Sequence, residues 1–523
     1  MKNLQKVDDD ASVGAVTTLV VIIPRYLHDN PECIEAKNKE LQNWIDFGVY
    51  QEVEDVGQRT INTSWVLVRK SSGVKARLCV RGDQEPGKHL IPTDSPTVNK
   101  VNIKLFYLIA VSFGWHIQTA DVKAAFLQGS DLDRDVYVKP PKEASVPGKV
   151  WKMIKRAYGF VDASRGFYLE VEKTLVNLGC LSSCYDPAMY IYFHPGTGLL
   201  SGVILTHVDD VMHGSGDEEF HKNVMIPLKC RFEFGSDEDE DFLYVGMHVV
   251  QSADQIVVDQ DQYVDDLEFP DIEQYSGQND ANALLEEQGQ ADFRAVVGKI
   301  GWLANSTRPD LNYDNVVMSM KVGKATLREM RQACKIIKKV KCDGTQMRFR
   351  NLGEISDWTL QGYGDAGFKS LPDKTSSCGG QVVLVCNKKR GLACVLDWKS
   401  KKLQRVVASS TAAEALAANS ALDMLVYVRS VLAELLGDCR KNIPLELYTD
   451  SANLHDAVMS SSLVENPRLR CDVAMLKESL KSRELSKFAH VKGKQMIADV
   501  LTKKGAAGFK LLSLLRTCEL SGE

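Results

Sequence analysis

What this 523-residue chain lacks narrows its chemistry before any motif is read. Its thirteen cysteines include no Cys-x₂-Cys pair and no Cys-x₂-Cys…His knuckle. That excludes a zinc ribbon, a zinc knuckle and a thioredoxin-like redox motif, and it reads as reduced thiols of an intracellular protein. Cys180 and Cys184 stand four apart with no second pair to complete a site. The apolar run Val13–Pro24 is too short to span a bilayer, which takes about 20 residues. It also lacks the basic flank and small-residue cleavage site of a signal peptide, so no membrane partner is expected. There is no internal repeat. A net charge of −5 does not advertise nucleic-acid binding, and a hydrophobic fraction of 44% is ordinary for globular protein. The length predicts two or three domains.

The average charge hides an asymmetry. Residues Lys321–Arg405 carry 19 Lys and Arg against 7 Asp and Glu. This block includes the helix-like "KATLREMRQACKIIKKVK" and offers a basic face that can follow phosphates. The acidic run "SDEDEDF", Ser236–Phe242, reads as a solvated turn, and the polar stretch Gln274–Asp292 as a flexible loop.

Set against these absences, carboxylates recur at the ends of strand-like segments. In "SGVILTHVDDVMHGSG", Ser201–Gly216, the apolar Val203-Ile204-Leu205 runs into Asp209-Asp210, and Val211-Met212 follows. This reads as a β-hairpin carrying acid at its turn. Adjacent carboxylates repel each other unless a cation neutralises them. Mg²⁺ suits an all-oxygen site and brings phosphate chemistry with it. A two-metal site needs a further acid nearby. Asp121 supplies one at the end of the alternating segment His116–Val122, ahead of a helix-like "KAAFLQ". The last third holds a separate set. Asp365 follows a short strand in "LQGYGDAGF", and Glu414 sits in the first turns of a helix capped by Ser409, Ser410 or Thr411. Asp450 ends a strand in "IPLELYTDSANLHDAV", with a helix from Ser451, and Asp499 lies in a final helix, "HVKGKQMIADVLTKK".

These strings together resemble the Pol region of a Copia-type (Pseudoviridae-like) LTR retrotransposon. "KARLCVRGDQE" resembles the basic fingers strand of its reverse transcriptase, and "IQTADVKAAFLQG" the first catalytic motif. "DVYVKPPKE" and "VWKMIKRAYGFVDASRGFY" resemble the stretches that follow, "THVDDV" the "YVDD" box, "DFLYVGMHV" the "FLGIEI" strand, and "FRAVVGKIGWLANSTRPDL" the "YRSLVGSLLYLTRPDI" segment. Seven matches in order span about 240 residues. Beyond them, "WKSKK…SST" and the boxes around Asp365, Asp450 and Asp499 resemble the family's ribonuclease H.

The resemblance implies an α+β multidomain protein. It would have a right-hand polymerase of fingers, palm and thumb with an antiparallel-sheet palm, followed by an α/β ribonuclease H-like domain. The expected boundaries are a lead-in at 1–35, fingers and palm at 36–250 opening on an amphipathic helix Glu32–Val53, and a helical thumb and connection at 251–350. A ribonuclease H-like domain at 355–505 and a tail at 506–523, ending in a disordered "SGE", complete the layout. The implied activity is RNA-directed DNA polymerase with ribonuclease H. Asp121, Asp209 and Asp210 would hold two Mg²⁺ for nucleotidyl transfer, and Asp365, Glu414, Asp450 and Asp499 two more for RNA cleavage, with Mn²⁺ as the other metal of choice. Phe126 takes the position of the aromatic gate that excludes the ribose 2′-hydroxyl. One or two of Lys75, Arg77 and Arg81 grip the triphosphate. His490 matches a mobile histidine that shuttles a proton or product. The partners would be RNA template, DNA primer, RNA–DNA hybrid and dNTPs, in a cytoplasmic virus-like particle or the nucleus. No protease or integrase segment is present, so a Pol fragment is expected.

Three departures stand out. His207 replaces the usual Tyr before Val-Asp-Asp, Asp162 replaces a Gln that touches the incoming nucleotide, and Ser164 replaces a Pro. An acid at 162 would repel a triphosphate. They mark either a divergent lineage or a decayed relic that binds hybrid or keeps only ribonuclease H, and a decayed polymerase would be rescued by His207→Tyr with Asp162→Gln.

Overall fold

In a computed structural model, the described residues are 21–70, 73–275, 280–344, 346–437, 443–505 and 508–520. They divide into two compact units, one of Met1–Asn99, Ile117–Asp239 and Tyr244–Gly246, the other of Lys100–His116, Glu240–Leu243 and Met247–Glu523. Most of the Val13–Pro24 run lies outside the described residues, as does the terminal "SGE".

In the first unit, α1 (Pro31–Asp46) has Pro31 at its first position. The helix expected over Glu32–Val53 ends sooner, because Tyr50–Glu54 forms a strand against Lys149–Met153. Strands β1 (Thr63–Lys70) and β2 (Gly73–Val80) pair as an antiparallel hairpin, the fingers ribbon. The palm is a six-stranded sheet built on β3 (His116–Val122), β4 (Met189–Phe193), β5 (Leu200–His207), β6 (Asp210–Ser215) and β7 (Phe234–Asp239). Its order is β7-β3-β6-β5-β4, with Leu181–Ser182 at the far edge. Strands β4 and β5 are buried at nearly every position, which explains their continuous apolar runs. Against one face packs a cluster that includes Phe167, Val171 and Leu175 of the helix Ala163–Asn177 together with Phe220 and Phe232.

Two expectations fail here. "SDEDEDF" is not only a turn: Phe234–Asp239 is the edge strand β7, paired with β3 from Phe234↔Val122 to Asp239↔Gln118. Acidic side chains suit an edge strand, because charge there discourages pairing with another chain. The segment after Asp121 is a single 3₁₀ turn, Ala125–Gln128, rather than an α-helix.

In the second unit, the region expected to be helical from 251 begins as sheet. β8 (Met247–Gln251) and β9 (Gln255–Asp259) form a hairpin that β10 (Met347–Arg350) extends. Helices α2 (Glu287–Ala304) and α3 (Leu327–Val340) follow, burying a core that includes Phe293, Ile300, Met330 and Ile337. The polar stretch expected as a loop is helical from Glu287 onward, while 276–279 lie outside the described residues. Helix α3 carries a full capping box between Thr326 and Glu329.

The final sheet joins β11 (Thr359–Gly367), β12 (Cys378–Asn387), β13 (Leu392–Lys402), β14 (Leu445–Thr449) and β15 (Lys487–His490) in the order β13-β12-β11-β14-β15. The first three are antiparallel, and β14 and β15 join in parallel, as in a ribonuclease H-like fold. The 27-residue α4 (Ser410–Leu436) lies across β11 and β12. It is long and apolar enough to span a membrane by composition, yet over half of its apolar window is buried against the sheet, which marks it as a core helix. The expected tail is ordered in its middle: Phe509–Thr517 is a helix, and Glu519 bridges to Leu392.

Candidate active sites

The first centre is built by strand pairing. Across β5 and β6, His207 faces Asp210, leaving Val208 and Asp209 as a two-residue turn. Val208 has φ +57, a conformation that costs a β-branched residue about 1–3 kcal/mol. The Val122 amide donates to the Asp209 carbonyl at 3.0 Å, which brings the end of β3 against the turn. Carboxylate oxygens of Asp121, Asp209 and Asp210 consequently lie within 4.8 Å of one another, all half-buried. Burial, followed by the charges of Asp209, Asp121 and Glu238, pushes Asp210 up to about 7.

Beside it stands an aromatic and basic wall. Phe126 packs 5.3 Å from Tyr158, centroid to centroid, and the Arg77 guanidinium lies 5.6 Å from the same Tyr158 ring. The Nε–H of Arg77 is buried without a hydrogen-bond partner. Lys75 is exposed two residues earlier on β2. Arg81 lies beyond the strand and is bound by Asp83 through two 2.8 Å hydrogen bonds. Tyr158, absent from the residues picked out by sequence, is fixed by Gly159. That glycine has φ +92, and a Cβ on it would meet the Val80 carbonyl at 2.0 Å. The Val80 amide donates to the Tyr158 carbonyl at 2.7 Å.

Asp162 does not face a nucleotide as a bare charge. It is buried, bound by Arg134 at 2.9 and 3.0 Å and by Arg156 Nε at 2.7 Å. Burial works against its charge, and the two guanidiniums overcome this, holding its carboxyl below the usual range. Gly166 makes room for Arg156, since a Cβ there would meet the arginine's Cδ at 2.2 Å. Repulsion of a triphosphate by Asp162 is therefore not supported; sequence spacing gave no sign of the two arginines.

The second centre gathers three acids from three elements. Asp365 lies inside β11 rather than after it, opposite Gly380 of β12. Glu414 is in the opening turns of α4, whose N-cap is Ser409, accepting from the Ala412 amide at 3.2 Å. Asp450 follows β14, and Ser451 caps the next helix. Oxygens of the three lie within 4.8 Å of one another. Burial, then the charges of Asp365 and Asp450, pushes Glu414 up to about 9, and burial above all takes Asp365 to about 6. Glu414 Oε2 is buried with no hydrogen-bond partner. An all-carboxylate donor set holding an orphaned buried oxygen fits a hard divalent cation. Asp499 stands outside this trio, on a 3₁₀ turn (Asp499–Leu501) rather than a final helix, with its carboxylate taken by Lys503. His490 is exposed at the end of β15, its Nε2 3.1 Å from the Asp450 carbonyl oxygen.

With both centres described, the relatives fall into place. Residues 48–273 match the protein-family model for reverse transcriptase (RNA-dependent DNA polymerase). The Retrovirus-related Pol polyprotein from transposon RE1 of Arabidopsis thaliana is 26% identical over 473 residues, 85% of this chain and 30% of that protein. The chain is similar in sequence to such Pol polyproteins, and its reverse transcriptase match covers residues 48–273. The corresponding polyprotein from transposon TNT 1-94 of Nicotiana tabacum is 24% identical, covering 77% of this chain and 32% of that protein. The chain thus spans about a third of the length of the curated relatives it matches. A foamy viral protease-reverse transcriptase, solved with double-stranded DNA, shares its fold at 13% identity and TM-score 0.50, covering 88% of this chain and 70% of that one.

Proposed function

We propose that the chain is an RNA-directed DNA polymerase fused to a ribonuclease H, copying RNA template from a DNA primer with dNTPs and cutting RNA in the resulting hybrid. The observation that carries this reading is the presence of two carboxylate trios, each with oxygens within 4.8 Å, one at a palm hairpin and one on a ribonuclease H-like sheet. Asp121, Asp209 and Asp210 would hold two Mg²⁺ or Mn²⁺ ions, and Asp365, Glu414 and Asp450, with Asp499, two more. Bound there, such ions activate an attacking oxygen and stabilise the leaving oxygen of an in-line phosphoryl displacement.

The chain's own groups do the rest. The Phe126 ring, braced by Tyr158, excludes a 2′-hydroxyl by bulk. Of the three basic candidates, Arg77 is best suited to a triphosphate: its free Nε–H can donate to a phosphate oxygen, whereas Arg81 is occupied by Asp83. Lys75 adds a second positive charge on the same strand. His490, exposed beside Asp450, carries a proton or escorts product. Arg331, Lys335, Lys338 and Lys339 are exposed on α3 and offer phosphate contacts to a hybrid.

A decayed polymerase with a live nuclease is the second reading, favoured by His207 opposite Asp210. Primer extension on poly(rA)/oligo(dT) with Mg²⁺ or Mn²⁺ separates the two. Extension that disappears in Asp209→Asn/Asp210→Asn is the expected result. Hybrid cleavage without extension, lost in Asp450→Asn, would establish the second reading instead.

A further inference from the structure

Four acids converge on the nuclease centre, and among the described residues Lys503 alone forms ion pairs with them. Its Nζ donates to Asp499 Oδ1 and lies 3.3 Å from Asp365 Oδ1. The other Asp365 oxygen, Oδ2, accepts from the Thr502 hydroxyl. Thr502 is fully buried, while the Lys503 side chain is 44% exposed. A rigid anchor therefore carries a flexible ammonium whose stem can turn to water. Glycines let this segment approach: a Cβ on Gly380 would meet Thr502 Cγ2 at 2.7 Å, and one on Gly367 the Thr502 carbonyl at 2.5 Å.

We propose that Lys503 is a built-in counter-cation of this centre, holding Asp365 and Asp499 in the metal-free protein and competing with the divalent cation for them. The proposal rests on reading Asp365, Glu414 and Asp450 as a metal centre. An ammonium at hydrogen-bond distance from a buried carboxylate lowers the negative potential that attracts a metal ion, and metal entry repels the ammonium outward. Asp499 stands outside the trio because Lys503 engages its carboxylate; release of the lysine frees that carboxylate for the metal. Lys503 thus sets the metal concentration at which the nuclease centre fills, independently of the polymerase centre. It is a positioning residue, acting through Asp365 and Asp499.

The test measures Mn²⁺ binding by the electron paramagnetic resonance of free Mn²⁺, using the full chain with Asp209→Asn/Asp210→Asn to silence the palm centre. Lys503→Met and Lys503→Gln are expected to tighten Mn²⁺ binding by on the order of ten-fold, and Lys503→Arg to leave it near the parent value. The metal-free melting temperature should fall in the two neutral variants and recover in saturating Mn²⁺. Unchanged or weaker Mn²⁺ binding in both neutral variants, with binding still lost in Asp450→Asn, would overturn the role of Lys503 while leaving the metal centre standing. Binding indifferent to Asp450→Asn would overturn the centre and the proposal with it.

Discussion

Single residues decide whether the unusual features of this chain are damage or design. Asp162 is the clearest case. It shares its charge between Arg134, which Glu85 also pairs, and the buried Arg156, whose nearest carboxylate it is. Asp162→Gln, which restores the usual family residue, is therefore expected to destabilise the first unit by about 3 kcal/mol in urea unfolding rather than rescue activity. Glu414 gives a second residue-level expectation. The folded protein holds its proton up to about 9, whereas the unfolded chain releases it near 4.5. The folded state therefore binds more protons between those values, and metal-free stability falls as pH rises through that window. Asp365 and Asp210, raised to about 6 and 7, add to the lower part of the fall. Calorimetry at pH 8 should show Mg²⁺ restoring stability. Glu414→Gln should raise the metal-free melting temperature by roughly a few °C while abolishing hybrid cleavage.

At the scale of elements, Asp450 follows a strand and Glu414 opens a helix, while Asp365 is held inside β11, so the caps that fix those ends matter to the arrangement. Ser409 caps α4 five residues before Glu414. Ser409→Ala should cost about 1 kcal/mol by chemical denaturation and slow hybrid cleavage more than primer extension. Legibility also follows from element type. The β5–β6 hairpin and the strand before Asp450 are readable because apolar runs end at acids. The edge strand β7 is not, because its side chains are acidic and only backbone pairing with β3 makes it a strand. The amphipathic pattern overstates the length of α1 because Tyr50–Glu54 pairs with a strand about a hundred residues later, which no local pattern announces. The ordered helix Phe509–Thr517 is hidden likewise: its Leu511, Leu514 and Leu515 are buried only once the sheet is assembled.

For the whole molecule, a net charge of −5 conceals a basic surface on α3. Arg331, Lys335, Lys338 and Lys339 stand on the solvated face of α3, whose opposite face carries Met330, Cys334 and Ile337 into the core. Replacing Lys335 and Lys339 by Gln should weaken hybrid binding at low salt and flatten the salt dependence, by about 0.7–0.9 in log–log slope for each phosphate no longer neutralised. Fluorescence anisotropy across a salt series measures this directly, and an unchanged slope would remove α3 from the interface.

Sequence alone determined the resemblance. Carboxylates at or near strand ends in a fixed order, with their flanking boxes, place this chain beside the Pol polyproteins it resembles, because such boxes are short contiguous strings that sequence carries without the fold. Tertiary structure decided everything that depends on which distant charges meet. It paired Asp162 with two arginines, set Arg77 against the Tyr158 ring, and put Lys503 between Asp365 and Asp499. Those outcomes turn on burial and on distances of a few ångströms between residues far apart in the chain, where Coulomb energy and desolvation are set by the folded environment and not by sequence spacing.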